Sequence, residues 1–132
     1  VANQNQTEMI CPFCHRPAVW CENKEVYGRN YGKSYMIWLC KPCNAYVGCH
    51  QNTKKPLGIM ANARTREMRR RVHAVIDPIW KSGKITRKKL YKLISIYTAK
   101  EYHTAECTVQ DCEAILKINF KSLLESNLNG KL

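Results

Sequence analysis

Eight cysteines lie at positions 11, 14, 21, 40, 43, 49, 107 and 112, and four of them form two hooks, Cys11-Pro12-Phe13-Cys14 and Cys40-Lys41-Pro42-Cys43. Each hook sets two sulfurs on one tight turn, and two such turns can close a tetrahedral thiolate shell around zinc. A shell of four thiolates leaves no position for a substrate, so the expected metal is one structural zinc ion held by Cys11, Cys14, Cys40 and Cys43. Eight cysteines would also suit the disulfide framework of a small secreted domain, and a single hook would suit redox chemistry. The paired spacing favours metal-held thiolates in a reducing cytoplasm, and no βαβ pattern accompanies either hook. Cys21, Cys49 and His50 are candidates for a further ligand or a second site. Cys21 and Cys49 are read more simply as small buried apolar groups.

Charge is the second signal. The chain carries 22 Lys and Arg against 10 Asp and Glu, a net +12, and residues 59–100 hold 12 basic and 2 acidic side chains. Such an excess predicts a polyanionic partner, DNA or RNA, with a phosphate backbone tracked by Arg64, Arg66, Arg69, Arg70, Arg71, Lys84, Arg87, Lys88, Lys89 and Lys92. The loop Tyr27-Gly28-Arg29-Asn30-Tyr31-Gly32-Lys33 adds two aromatic faces and two cations, Arg29 and Lys33. Tyr27 and Tyr31 could stack a base there, or pack on the sheet as an ordinary hairpin tip.

Catalytic constellations are sparse. His73 and Asp77 sit four apart on one helix, and His103 lies in a polar segment, but such a pair is usually a surface hydrogen bond. No Ser-His-Asp order, phosphate-cradling glycine loop or paired carboxylates beside a histidine can be read. An enzyme is therefore the minority expectation, and a metal-dependent nuclease its form.

These residues need elements to position them. The length of 132 residues allows one compact domain or two small modules, and 45% hydrophobic with 24% charged residues argues against wholesale disorder. No apolar run reaches the ~18–20 residues that cross a bilayer, so no membrane role is expected. Residues 1–10 read as a flexible leader. Ala18 to Cys21, Tyr35 to Cys40 and Tyr46 to His50 read as strands, and His15 and Asn44, directly after the hooks, are residue types that tolerate positive φ. Gln51 to Pro56 reads as a linker. Beyond it the period becomes helical: Met68, Val72, Val75, Ile76, Ile79 and Trp80 share one face, with a kink or restart expected at Asp77-Pro78. Ser82-Gly83-Lys84 marks a stop, and Thr86 caps a second helix bearing Leu90, Leu93, Ile94 and Tyr97. Thr108 and Asp111 form a capping box for a third, whose apolar face runs from Cys112 to Leu124 and whose end from Asn127 reads as frayed.

The runs Cys11 to Cys14, Tyr27 to Gly32, Trp38 to Cys43 and Ala45-Tyr46-Val47-Gly48-Cys49-His50, continued by Pro56-Leu57-Gly58 and the helix from Arg70 to Trp80, carry a family resemblance. Over about residues 11–100 the chain resembles the small zinc-finger-containing proteins found mainly in bacteriophages and prophages, a domain family of unknown function. It departs from that pattern at Asn30, where an acidic residue is more usual, and at His15, where glycine is common. The resemblance implies a zinc-bearing fold and a protein acting in the cytoplasm of a bacterial host.

The expected fold is α+β: an N-terminal zinc ribbon, residues 11–58, packed on a basic module of about three helices, residues 59–132, sharing its core. The expected function is nucleic-acid binding. The alternative is a protein-interaction module that engages a host factor in transcription, replication or defence, because zinc ribbons also serve protein contacts.

Overall fold

β-branched and aromatic runs form three short strands in the computed structural model, which describes residues 8–128. They are β1 (Val19–Glu22), β2 (Met36–Cys40) and β3 (Ala45–Gly48), antiparallel in the order β1-β2-β3, each within one or two residues of the expected span. Register places Trp20 opposite Trp38 and Trp38 opposite Val47. On that face Trp38, Cys40, Ala45 and Val47 join Cys11, Cys49 and Met60 in a buried cluster, with Trp20 packed against it. Ile37 and Leu39, on the opposite face, are buried too. The central strand is thus covered on both sides, which is why its sequence is a continuous apolar run rather than an alternation.

The segment joining β1 to β2 is more ordered than a hairpin tip. It contains a one-turn helix, α1 (Lys24–Tyr27), closed by Gly28 at φ +85°, whose N–H donates to Lys24 O. Only glycine adopts that backbone readily. Asn23 is buried and works as a piece of backbone: its carbonyl oxygen accepts from Tyr31 N at 3.0 Å and its amide donates to Tyr31 O at 2.9 Å. Asn30 accepts from Lys24 N at 3.1 Å and donates to Glu22 at 2.6 Å. An acidic residue there would serve only the first bond, and would face Glu22.

Residues 51–56 close back on the sheet instead of leading away from it as a linker. Trp38 Nε1 donates to Lys54 O at 2.9 Å, His50 N to Lys55 O at 2.9 Å, and Cys49 bridges to Pro56. The expected leader reaches less far than residue 10, since Met9 packs against the buried cluster and Met9 O accepts from Ala18 N. The rest of that leader, residues 1–7, and residues 129–132 of the end expected to fray lie outside the described residues, while the start of that end, 127–128, belongs to the last helix.

The chain divides between Arg66 and Glu67 into two compact units, the ribbon and a helical unit, and each holds its own buried cluster. Helix α2 (Ala63–Lys81) starts in the first unit, where Asn62 Oδ1 accepts from Thr65 N and Thr65 Oγ1, both at 2.9 Å. It runs unbroken through Asp77-Pro78, so the expected kink or restart does not occur. Pro78 falls in the last turn, and the carbonyl it leaves unpaired belongs to the exposed Ala74. Helix α3 (Arg87–Thr98) begins at the Thr86 cap, as expected.

A 3-10 turn (Thr104–Glu106) then leads to α4 (Val109–Leu116), whose capping box has both of its bonds, and to α5 (Phe120–Leu128). The single third helix of the sequence reading is therefore two, because Asn119 caps the second through Ser122 N. Val72, Ile76, Leu90, Ile94 and Cys112 form the deepest part of the helical core. Val75 and Tyr97, assigned to apolar stripes, are exposed.

Candidate functional site

Two knuckles carry the metal ligands. Cys11 opens a turn in which His15 N donates to Cys11 O at 2.8 Å and His15 takes φ +64°. Cys40 ends β2, and the second turn returns through Asn44 at φ +50° to β3. Both residues following the hooks thus adopt the backbone their types tolerate. The four sulfurs of Cys11, Cys14, Cys40 and Cys43 all lie within 4.8 Å of one another, with Cys14 Sγ and Cys40 Sγ 3.6 Å apart. A tetrahedron with Zn–S bonds of about 2.3 Å has edges of about 3.8 Å, so the donor set fits zinc. None of the cysteines forms a disulfide. The backbone N–H of Arg16 draws Cys14 down to about 7, whereas hydrogen bonds from the neighbouring thiols, Cys14 first, push Cys43 up to about 12. Four thiolates at this spacing need a dication between them. The centre is one structural zinc site with a closed shell.

Among the described residues no other group of three or more potential ligands converges. Cys49 is buried in the ribbon cluster, Cys21 is half-buried, and His50 is exposed with its backbone engaged by Lys55 and Thr53. In the helical unit Cys107 and Cys112 are buried, and burial pushes the Cys107 thiol up to about 12. They pack as small apolar groups.

The expected stacking loop is internally engaged. Tyr27 meets Tyr31 edge-on with ring centres 5.3 Å apart and Tyr46 at 6.0 Å, and a hydrogen bond to the Tyr46 hydroxyl, with partial burial, pushes the Tyr27 phenol up to about 12. Arg29 lies over Tyr31 at 4.8 Å and Arg66 over Tyr46 at 4.3 Å. Lys33 is exposed beside this loop.

The basic residues separate into two groups. Arg66 donates to Asn44 O and Ala61 O, and half-buried Arg69 donates to Cys107 O at 2.9 Å and Ala105 O at 3.2 Å. Arg70 and Arg71 both pair with Glu67. Arg66 and Arg69 are thus tied to backbone carbonyls, whereas Arg70 and Arg71 are exposed and held only by Glu67 on their own helix, and Arg64 is exposed as well. Lys84, Arg87, Lys88, Lys89 and Lys92 are all exposed at the start of α3, and among the described residues none comes within 4.0 Å of a carboxylate. Arg87 lies beside the rings of Trp80 and Tyr91, at 5.7 and 5.3 Å.

His73 Nδ1 lies 3.4 Å from Asp77 Oδ1, but the same oxygen accepts from Trp80 Nε1 at 3.0 Å. Burial works against the Asp77 charge, and the Trp80 and His73 hydrogen bonds outweigh it, holding the carboxyl below its ordinary range. The pair closes the end of α2 onto its own tryptophan. His103 pairs with Glu101 at 3.2 Å in an exposed segment. Sequence reasoning passed over Asn23, the one buried asparagine among the described residues, whose only signal was its position directly after a strand.

A family model described as a zinc-finger-containing domain matches residues 7–122 of the chain. Neither a curated protein nor a solved structure matches it significantly.

Proposed function

The protein belongs to the zinc-finger-containing domain family, and we propose that it binds nucleic acid through the cation cluster that opens α3. The observation that carries this reading is the placement of Lys84, Arg87, Lys88, Lys89 and Lys92 around the N-terminus of a 12-residue helix with no acidic residue in its first turn. The helix dipole already makes that end positive, so each cation in the first turn, Arg87, Lys88 and Lys89, costs about 0.3–1 kcal/mol of helix stability. A phosphate backbone reverses the sign of this interaction and contacts the same side chains. The resemblance to phage and prophage proteins supports a site of action in the cytoplasm of a bacterial host.

The test is a fluorescence-anisotropy titration of the zinc-loaded chain with single- and double-stranded DNA and RNA at several salt concentrations. Each phosphate contact contributes about 0.7–0.9 to the slope of log affinity against log salt. The variant Lys88→Ala/Lys89→Ala/Lys92→Ala should lose roughly 2–3 of that slope while becoming no less stable. A variant that binds with unchanged affinity and slope refutes the assignment. High affinity for a discrete protein, insensitive to salt, would support the interaction-module alternative instead.

A further inference from the structure

On the ribbon a second feature gathers aromatic and cationic side chains around one cleft. A cleft of about 280 Å³ opens between the segment leading into β2 and the turn at 50–54, lined by Trp20, Lys33, Ser34, Tyr35, Thr53 and Lys54 among others, with no carboxylate in its wall. Its size is near the lower end for small-ligand sites, enough for one planar ring and its substituents. The walls are held by the bond from Trp38 Nε1 to Lys54 O and by Ser34 Oγ donating to Cys49 O at 3.0 Å. Tyr35 is 41% exposed, Trp20 is half-buried with its ring anchored on Trp38, and Lys54 Nζ lies 5.6 Å from the Trp20 ring. Lys33 and Lys54, both exposed, are among its lining residues.

We infer that this cleft seats one unpaired nucleobase with its phosphate, the ring against Tyr35 and Trp20 and the phosphate between Lys33 and Lys54. An aromatic wall accepts any base face, and two ammonium groups with no carboxylate between them accept a phosphate. A base inside a duplex offers no free face, so the occupant is a single-stranded segment or a free nucleotide. The inference rests on the nucleic-acid reading above and narrows it to unpaired bases.

The experiment compares the zinc-loaded chain with Tyr35→Ala, Tyr35→Phe and Lys54→Glu, using short single-stranded DNA and RNA oligomers, the matching duplexes and adenosine monophosphate as probes. Zinc content and the circular dichroism of the Trp20–Trp38 pair check the fold. Single strands should bind more tightly than duplexes, and Tyr35→Ala should lose roughly 5- to 150-fold of single-strand affinity while Tyr35→Phe keeps it. Lys54→Glu, at an exposed side chain whose backbone carbonyl makes the structural bond, should weaken binding and lower its salt slope. Adenosine monophosphate bound as tightly as the oligomers, with the same sensitivity to Tyr35→Ala, makes the ligand a free nucleotide and supports the cleft. Oligomer binding untouched by Tyr35→Ala and Lys54→Glu overturns the cleft and leaves the α3 reading standing. No binding of any probe overturns both.

Discussion

Removing zinc should unfold the ribbon and leave the helical unit helical. In the ribbon the large buried apolar side chains are Ile37, Trp38, Leu39, Val47 and Met60. At about 1.5–3 kcal/mol each, their burial is worth about 8–15 kcal/mol. A structural zinc contributes about 10–16 kcal/mol at neutral pH, a term as large as all of that burial and as large as the whole stability of an ordinary domain. Two of the seven residues in the buried ribbon cluster, Cys11 and Cys40, are themselves ligands, so losing the ion also loosens the apolar packing around them. The helical unit has twelve buried residues in its own cluster and no site of this kind among its described residues. The assay is chelation followed by tryptophan fluorescence and circular dichroism. Trp20 and Trp38, with ring centres 5.1 Å apart, report the ribbon, and Trp80 reports the helical unit. In Trp80→Phe the emission should shift to the red on chelation and recover with added zinc, while the helical signal near 222 nm changes little. A metal-free ribbon, verified by metal analysis, that keeps its Trp20–Trp38 signal would refute a structural role for zinc.

Two further outcomes follow from the helical unit. Arg69→Ala should destabilise it by about 2–4 kcal/mol, because two charge-assisted bonds to Cys107 O and Ala105 O are lost at a half-buried site, and Arg69→Lys should recover only part; denaturant unfolding measures both. Burial opposes the Asp111 charge, but bonds from Lys100 and Thr108 outweigh it and hold the carboxyl below its ordinary range. Since folding lowers this pKa, its contribution is complete above an unfolded value of about 3.9 and is lost as pH falls through the lower folded value. Asp111→Asn should therefore flatten the fall in melting temperature below about pH 4, and an unchanged acid profile would show that Asp111 does not link folding to protons.

Much of the fold was legible because its signals are local. Paired hooks imply a four-sulfur centre, and the residues after them carry the positive φ that the turns need. Thr86 and Thr108 announce their helices by chemistry that acts within three residues. What was misread depends on contacts far along the chain. The polar run 51–56 looks like a linker until the Trp38 indole is placed against Lys54 O. The apolar spacing from Cys112 to Leu124 suits one helix or two, and only the Asn119 cap separates them. Helix α1 is too short to show a period, and Asn23 became significant only when Tyr31 was brought to it.

The same distinction applies to charge. Composition counts Arg66, Arg69, Arg70 and Arg71 with the lysines of α3, and the structure separates them. Guanidinium groups are planar forks suited to carbonyls and carboxylates, and here they are held by Asn44, Ala61, Ala105, Cys107 and Glu67. Removing Arg66 or Arg69 would disturb the fold, whereas Arg70 and Arg71 are exposed and their pairs with Glu67 add little to stability. Lys84, Lys88, Lys89 and Lys92 are exposed point charges, and Lys88 and Lys89 sit in the first turn at the wrong end of a helix dipole, a placement that folding alone disfavours. Neutralising Arg66 and Arg69 should therefore cost stability, while neutralising the lysines should cost affinity. Matched sets of variants, assayed for both quantities, separate structural charge from binding charge in a chain whose sequence presents them as a single basic run.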